Sequence, residues 1–378
     1  MNRRVLLVLM LVCALVVLAP RAWAQRPPDT DPPSGVIARD IKMAWDRSAM
    51  PGNIEIMPPK ALIAYDPDPD KHYGKLYLTC TSRSDSATGR CETEDVASLE
   101  AYGTPVPLRF QEQRGGMTRD LTIDGAIYRA DITQRCSTDF WRVLLYRLES
   151  SESGRCGSDS AGGTGLGLVL DTKELSNLVA GTWRGTLELH LRKPPAQHLA
   201  TYVFNFDFTV TDYDAISIYF PGFDGVAPLV NMDLRYDPIR KVVGGRKDVD
   251  MCLYDGVGSQ SEFLGVTVRD SGPRPPPGRD FAVWHQDGGS DDTQRLDYQV
   301  GLNYGGNLLA MKHGEEQLLR GIDSAQLRMV LLPGISQPVY CVPTPLTLET
   351  PPTPIASKRP GLYEGELTVE LRVPTTKP

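Results

Sequence analysis

The sequence predicts an all-β chain that is built from two tandem immunoglobulin-like β-sandwich domains. Three observations support this fold class: short apolar segments that alternate with polar residues, frequent turn residues, and an even number of cysteines once an N-terminal leader is removed. Gly occurs 35 times and Pro 31 times in 378 residues, and helical periodicity is scarce. A chain of this length exceeds what one hydrophobic core usually serves, so we expect two domains.

Residues 1–24 have the features of a secretory signal peptide. Arg3 and Arg4 precede an apolar run from Val5 to Leu18, and a small-residue Ala-Trp-Ala motif closes the segment. The mature chain is expected to begin near Gln25. Removal of the leader takes away three arginines, so the formal net charge changes from −7 to about −10. An acidic chain is not expected to bind nucleic acid.

Six cysteines remain after cleavage, and in an oxidising compartment this number indicates three disulfides. Sequence alone leaves their connectivity open. Position favours pairs that each stay within one stretch of strands, namely Cys80 with Cys91, Cys136 with Cys156, and Cys252 with Cys341.

The first block of strands follows a proline-rich, disordered-looking start at residues 27–33. Alternation over residues 75–80 predicts a strand with Lys75, Tyr77 and Thr79 facing outward. Asp124-Gly125 between two apolar triplets indicates a tight hairpin. One short helical turn is expected within residues 168–178.

The clearest alternation runs from Trp183 to Arg192 and predicts a half-buried strand. A second run, from Tyr202 to Val210, places aromatic side chains on one face. Such a stripe can be a carbohydrate platform, but its two-residue spacing favours a core strand. A third strand ends at Phe220, so we expect the first domain to span residues 25–222.

The second block, residues 223–378, shows further strand patterns separated by proline-rich breaks at residues 273–277 and 351–360, which we interpret as loops. The predicted strands cover residues 232–236, 249–254, 263–268, 281–284, 296–304, 327–332 and 339–342. A last strand places on one face Tyr363, Leu367, Val369, Leu371 and Val373. Only five residues follow it.

Catalytic and metal-binding patterns are weak in this sequence. Residues 159–163 resemble a serine-nucleophile loop only superficially, because none of the five histidines has a recognisable partner motif. Asp287, Asp291 and Asp292 are interpreted as a solvated acidic loop rather than a calcium site. We therefore predict no enzyme activity, no cofactor and no metal, and we keep a secreted sandwich-fold enzyme that acts on glycans as the alternative.

Several segments together resemble a known family: Val249 to Gly256, Gln337 to Pro343, and Gly361 to Val369. They are similar to the pilin domain of class 5 fimbrial tip adhesins, also called CblD-like pilus biogenesis initiators, which use the alternate chaperone–usher pathway. The similarity extends upstream from residue 223 to residue 180, and the spacing of the six mature cysteines fits. Residues 25–70 match poorly, so their role stays open.

The resemblance implies an adhesin domain at residues 25–222 joined to a pilin domain at residues 223–378 that lacks its final strand. The sheet edge beside the last apolar strand would accept a strand from a periplasmic chaperone and then from the major pilin subunit, with an outer-membrane usher as the third partner. The expected location is the pilus tip at the cell surface, reached through the periplasm. A complete domain whose last strand ends the chain is the alternative.

For receptor binding, the resemblance implies a basic patch suited to a glycan or another anionic surface group. The matching positions are Lys75, Arg192 and Lys193. Pro194 departs from the family pattern, which expects a further basic residue there. The alternative is that these are ordinary solubilising charges and that the chain is a non-adhesive pilus initiator.

Overall fold

The computed structural model describes residues 26–137, 139–154, 156–157, 160–225, 227–273 and 279–374. The predicted signal peptide, Asp159, and most of the proline-rich break after Pro273 lie outside these residues. The described residues form two β-sandwiches, as the sequence predicted. No helix among them is long and apolar enough to cross a membrane.

The first sandwich is one large sheet, which has eight strands among the described residues. They are β1 (Gly35–Asp46), β2 (Ile54–Tyr65), β3 (Tyr77–Thr79), β4 (Thr104–Glu112), β5 (Thr118–Asp131), β6 (Ala161–Leu170), β7 (Gly181–Lys193) and β8 (Gln197–Thr211). The order is β1-β8-β7-β4-β5-β6-β2, and β3 pairs with β7. Only residues 47–53 join β1 to β2, which lie at opposite ends of this order. So short a connection requires the sheet to curl back on itself. The expected helical turn is α1 (Thr172–Leu175).

Residues 26–65, whose role the sequence left open, are part of this sheet. β1 runs parallel to β8 over its whole length, and β2 pairs with β6. The start predicted to be disordered is held by two backbone hydrogen bonds, of 2.8 and 2.9 Å, between Thr30 and Tyr65. That prediction was wrong, because composition does not reveal a pairing so far along the chain.

The second sandwich contains the later strands of the chain. They are β9 (Ser217–Tyr219), β10 (Arg235–Asp237), β11 (Val242–Val249), β12 (Cys252–Tyr254), β13 (Phe263–Asp270), β14 (Phe281–His285), β15 (Arg295–Tyr304), β16 (Asn307–Met311), β17 (Glu316–Arg320), β18 (Arg328–Val330), β19 (Val339–Pro343), β20 (Leu346–Pro354), β21 (Tyr363–Glu364) and β22 (Leu367–Arg372). One sheet has the order β10-β11-β20-β15-β14-β21, and the others are β18-β19-β12-β9 and β17-β13-β22. β9 precedes the predicted boundary at residue 222 yet pairs with β12. The boundary itself stays a prediction.

The disulfides lie where sequence position favoured them, since the structure joins Cys80 to Cys91, Cys136 to Cys156, and Cys252 to Cys341. The aromatic stripe of β8 is core, because Phe204, Phe206 and Phe208 are at most 2% exposed. A carbohydrate platform on that face is therefore excluded.

Two local predictions were wrong. Asp124 and Gly125 lie inside the continuous strand β5 and form no hairpin. A Cβ on Gly125 would come within 2.5 Å of the Leu148 side chain, so this glycine permits close packing instead of a turn. Tyr77 and Thr79 are buried rather than outward, because the segment around Leu148 covers them and the Leu78 amide donates to the Leu148 carbonyl at 2.7 Å.

Candidate receptor-binding patch and open sheet edge

The three predicted receptor-binding residues lie near the hairpin that joins β7 to β8. β3 runs antiparallel to β7 and places Tyr77 opposite Arg192. Lys75 lies two residues before Tyr77, and Lys193 follows Arg192 directly, so the register brings all three to one end of the sheet. We call Lys75, Arg192 and Lys193 the tip patch.

Lys75 is exposed and ends a 3-10 turn, residues 73–75, rather than lying on a strand as predicted. The turn packs tightly against the start of β6, because a Cβ on Gly74 would come within 1.9 Å of the Ala161 carbonyl oxygen. The Lys75 amide donates to the His72 carbonyl at 3.0 Å. The backbone at Lys75 is thus fixed while its side chain remains available to a ligand.

Arg192 is half-buried and held by two hydrogen bonds. Its Nε donates to the Thr79 hydroxyl at 3.1 Å, and its Nη1 donates to the Ala196 carbonyl at 3.4 Å. Tyr77, which the sequence did not suggest as part of this region, donates its hydroxyl to the Pro195 carbonyl at 3.4 Å. Burial raises the pKa of Tyr77, the Asp95 carboxylate raises it further, and the charge of Arg192 opposes both. A guanidinium held in place by its neighbours loses little entropy when it binds an anion.

The second candidate site is the free edge of β22. This strand pairs with β13 on one side, and no strand of the described residues pairs with its other side. Its inward residues Leu367, Val369 and Leu371 are only half-buried. The inward residues of the neighbouring strand β13 are fully buried. A core strand with a partially exposed apolar face is typical of a sandwich that lacks one strand.

The predicted groove residues divide between two sheets. Leu367, Val369 and Leu371 lie on β22 and Val373 follows it, whereas Tyr363 lies on β21, which pairs with β14 of the other sheet. All five pack against the second core. The extended segment 227–234 also contributes half-buried apolar side chains to this core without a ladder partner among the described residues.

Ion pairs brace the paired side of β22. Arg372 donates to both carboxylate oxygens of Glu316 on β17, at 2.6 and 2.9 Å, and Arg269 on β13 donates to Glu370 at 3.0 Å. The hydrogen bond from Arg372 lowers the pKa of Glu316. These contacts span β17, β13 and β22 on the outer face, so the sheet is firm where it is complete.

The described residues give little support for a metal site. The one cluster of potential ligands contains Asp131, Cys136 and Cys156, but both sulfurs are in a disulfide. In the acidic loop, Asp287 pairs with Arg359 and Asp292 pairs with Arg279, each at 2.7 Å. These contacts agree with the solvated acidic loop that we expected.

Two β-sandwiches, the second with an uncovered edge, define this chain as a subunit of the type that exchanges strands during fibre assembly. Family models of both domains of CfaE, a subunit of CFA/I fimbriae, match it, the first-domain model over residues 20–213 and the second-domain model over residues 216–375. The chain belongs to the CfaE family, the class 5 fimbrial tip adhesins of the chaperone–usher type, and the resemblance in the sequence is thereby confirmed.

Individual relatives agree with this assignment. The CFA/I fimbrial protein CfaE of Escherichia coli is 26% identical over 307 residues, which cover 79% of this chain and 80% of that protein. The crystal structure of CfaE, the adhesive subunit of CFA/I fimbria of enterotoxigenic Escherichia coli, has a TM-score of 0.69 at 24% identity and covers 93% of this chain and 95% of its own. A chaperone–tip adhesin complex of CFA/I fimbriae has a TM-score of 0.65 at 23% identity and covers 93% and 99%.

Proposed function

We propose that this protein is a minor fimbrial tip subunit that initiates pilus assembly by accepting a donor strand and that binds an anionic surface receptor. The free edge of β22, with its half-buried apolar face, is the observation that carries the proposal. A donated strand would satisfy the unpaired backbone groups of β22 and cover Leu367, Val369 and Leu371.

The partners follow from the sequence of events at this edge. Membership of the family and the similarity to the adhesin of a chaperone–tip adhesin complex support a periplasmic chaperone as the first partner. The major pilin replaces the chaperone by donor-strand exchange at an outer-membrane usher. The protein thus passes through the periplasm and ends at the tip of the pilus, on the cell surface.

The groove is tested by thermal denaturation of the mature chain with and without a peptide from the N-terminus of the neighbouring pilin. At a peptide concentration about a hundredfold above its Kd, we expect the melting temperature to rise by roughly 5–10 °C. A scrambled peptide is the control. A chain that is indifferent to every pilin peptide would contradict the open groove.

A matched pair of variants locates the peptide on β22. Val369→Asp places a charge on the inward face, and Thr368→Asp places the same charge on the exposed face of the same strand. We expect Val369→Asp to abolish the peptide-induced rise and Thr368→Asp to retain it, whatever the melting temperature of each variant alone. Equal responses would show that the peptide binds elsewhere.

Adhesion is assigned to the tip patch because it is accessible and positively charged. Lys75 is exposed, Arg192 and Lys193 are half-exposed, and Arg192 is held in place by Thr79 and Ala196. Guanidinium and ammonium groups in this setting suit carboxylate or sulfate groups of surface glycans.

Charge reversal tests this assignment. We expect Arg192→Glu and Lys193→Glu to weaken binding of the mature chain to sialylated or sulfated glycans by roughly tenfold each. Lys42→Glu is the matched control, because Lys42 is an exposed lysine on the outer face of β1 without an ion-pair partner among the described residues. If all three variants bind alike, the patch is not adhesive and the protein is an initiator only.

A secreted enzyme that acts on glycans is the remaining alternative. The family consists of fimbrial subunits, which favours a protein that binds without catalysis. Turnover of a glycan that disappears when one carboxylate is replaced would overturn the proposal.

A further inference from the structure

Two histidines lie beside Arg192 on the hairpin of β7 and β8. The register places His198 opposite Arg192 and His190 opposite Thr201. The two imidazole rings pack edge to face, with centroids 5.4 Å apart and planes at 88°. The pair is therefore continuous with the tip patch on one end of the sheet.

Hydrogen bonds fix the orientation of both rings. Nε2 of His190 donates to the Glu188 carboxylate at 2.9 Å, and Nε2 of His198 lies 3.0 Å from the Thr201 hydroxyl. The His190 side chain is 24% exposed and His198 is exposed, so solvent protons and a ligand can reach the pair.

The elements around the pair place one carboxylate against it. On β7, Glu188 faces His190, and Arg192 and Lys193 follow along the strand. The facing residues of β3 and β8, Thr79 and Thr201, are neutral. Asp95, near Tyr77, already accepts the backbone amides of residues 97 and 151. In the adjacent loop, Arg83 pairs with Glu92 and Asp85 pairs with Arg109, and the remaining charged residues are Arg90 and the exposed Glu94.

We propose that His190 and His198 belong to the receptor-binding surface and strengthen its attraction for an anionic receptor as pH falls. This inference rests on the proposed function of the tip patch. Histidine is the ordinary side chain that gains charge between pH 8 and 5. With both rings neutral, Glu188 places one negative charge beside the patch. With both protonated, the same three residues carry one net positive charge.

Protonation thus acts in two ways on a bound anion. His190 in its charged form neutralises Glu188, which removes a repulsive group next to Arg192. His198 in its charged form adds a cation directly across the hairpin from Arg192. A neutral receptor would gain nothing from either change, so the receptor class that fits is one with carboxylate or sulfate groups.

The test measures binding of the mature chain to immobilised heparin and immobilised sialyllactose, with lactose as the neutral control. We expect binding to an anionic glycan to be at least about fivefold tighter at about pH 5.5 than at about pH 7.5. The double variant His190→Gln with His198→Gln is expected to bind at the higher pH as the wild type does, without the rise at the lower pH. His72→Asn serves as the matched control: it replaces an exposed, left-handed histidine of the same sandwich and is expected to retain the rise.

The outcomes separate this inference from the function on which it rests. Binding that Arg192→Glu removes but that does not change with pH overturns only the role of the histidines. A rise that persists in the double variant, or that His72→Asn abolishes equally, overturns it as well. Absence of binding to either anionic glycan at both pH values overturns the adhesive patch and this inference together.

Discussion

At the scale of single residues, Arg129 shows how the first sandwich organises its longest loop. Its guanidinium is fully buried and faces no carboxylate within hydrogen-bonding distance among the described residues. It donates to the carbonyls of Leu76, Ser150 and Glu152 and to the Thr164 hydroxyl, at 2.6 to 3.2 Å. Burial lowers the pKa of Arg129 to about 9. A buried cation that is satisfied by backbone groups ties β5 to the segment before β3 and to the loop that carries a disulfide.

Asp46 is the residue whose ionisation most clearly links pH to stability. Its carboxylate accepts hydrogen bonds from the Ser48 amide and hydroxyl, the Thr211 hydroxyl and the Tyr213 amide, at 2.6 to 3.2 Å. Burial opposes ionisation, but these bonds outweigh it and lower the pKa of Asp46 to about 2, from 3.8. Because the folded pKa is the lower one, this stabilisation is present above about pH 4 and is lost as pH falls towards 2.

We expect Asp46→Asn to reduce the free energy of unfolding by about 1 kcal/mol at neutral pH, a value that allows for solvent screening. The difference from the wild type should shrink as pH falls to about 2, because the wild-type carboxylate is then protonated too. Urea denaturation across this range measures it. Asp40→Asn on the same strand is the control, since Asp40 is exposed and accepts one bond, from Asn205. A difference that is constant with pH would contradict the role of the charge.

At the scale of elements, the sequence predicts strands well where one face is buried and the other is solvated. β7, β8 and β15 have this pattern and were located closely. β1 was missed because it is an edge strand that is exposed on both faces over most of its length. Alternation cannot report a strand that buries so little of its surface.

β20 was missed for a different reason, because its prolines led us to interpret residues 351–360 as a loop. The strand continues to Pro354, and that interpretation was wrong. The ladder with β11 shifts register between Val243 and Gly245, opposite Pro351 and Pro352. At such a bulge no amide donor is required, so proline is tolerated.

The candidate sites were predicted to different depths. The apolar stripe of β22 is visible in the sequence, and its free edge needs only the sheet order to be recognised. The tip patch rested on resemblance, and the sequence did not show that Tyr77 and Thr79 are buried beside Arg192. Their burial depends on the long excursion between β5 and β6, a contact too distant in sequence for periodicity to reveal.

At the scale of the whole molecule, the two sandwiches are joined through side chains and backbone as well as through the chain. Tyr254, Val339 and Cys341 of the second sandwich belong to the same buried cluster as the core of the first. The buried carboxylate of Asp255 accepts three backbone amides and the Ser261 hydroxyl, which shapes the loop that packs against Gly181. Strain or ligand binding in one sandwich therefore meets a packed contact with the other rather than a free hinge.

Arg114 is the side chain that reaches furthest across this contact. It lies in the turn between β4 and β5, which the buried carboxylate of Glu112 fixes by accepting the amides of residues 114 and 115. Its Nη2 donates to the carbonyl of Ile322, at 3.2 Å, and to that of Ala325. Ile322 itself is fully buried in the second core, so this turn of the second sandwich is held from outside by one guanidinium.

We expect Arg114→Met to lower the free energy of unfolding by about 1–3 kcal/mol, because it leaves two carbonyls without their charged donor. Guanidinium denaturation of the mature chain measures the change. Arg119→Met is the matched control: it removes the same charge from β5, where the guanidinium reaches only the carbonyl of Thr118. We expect that control to change the free energy by less than about 0.5 kcal/mol. If both variants unfold alike, the bonds from Arg114 do not stabilise the contact, and the shared apolar cluster alone holds the sandwiches together.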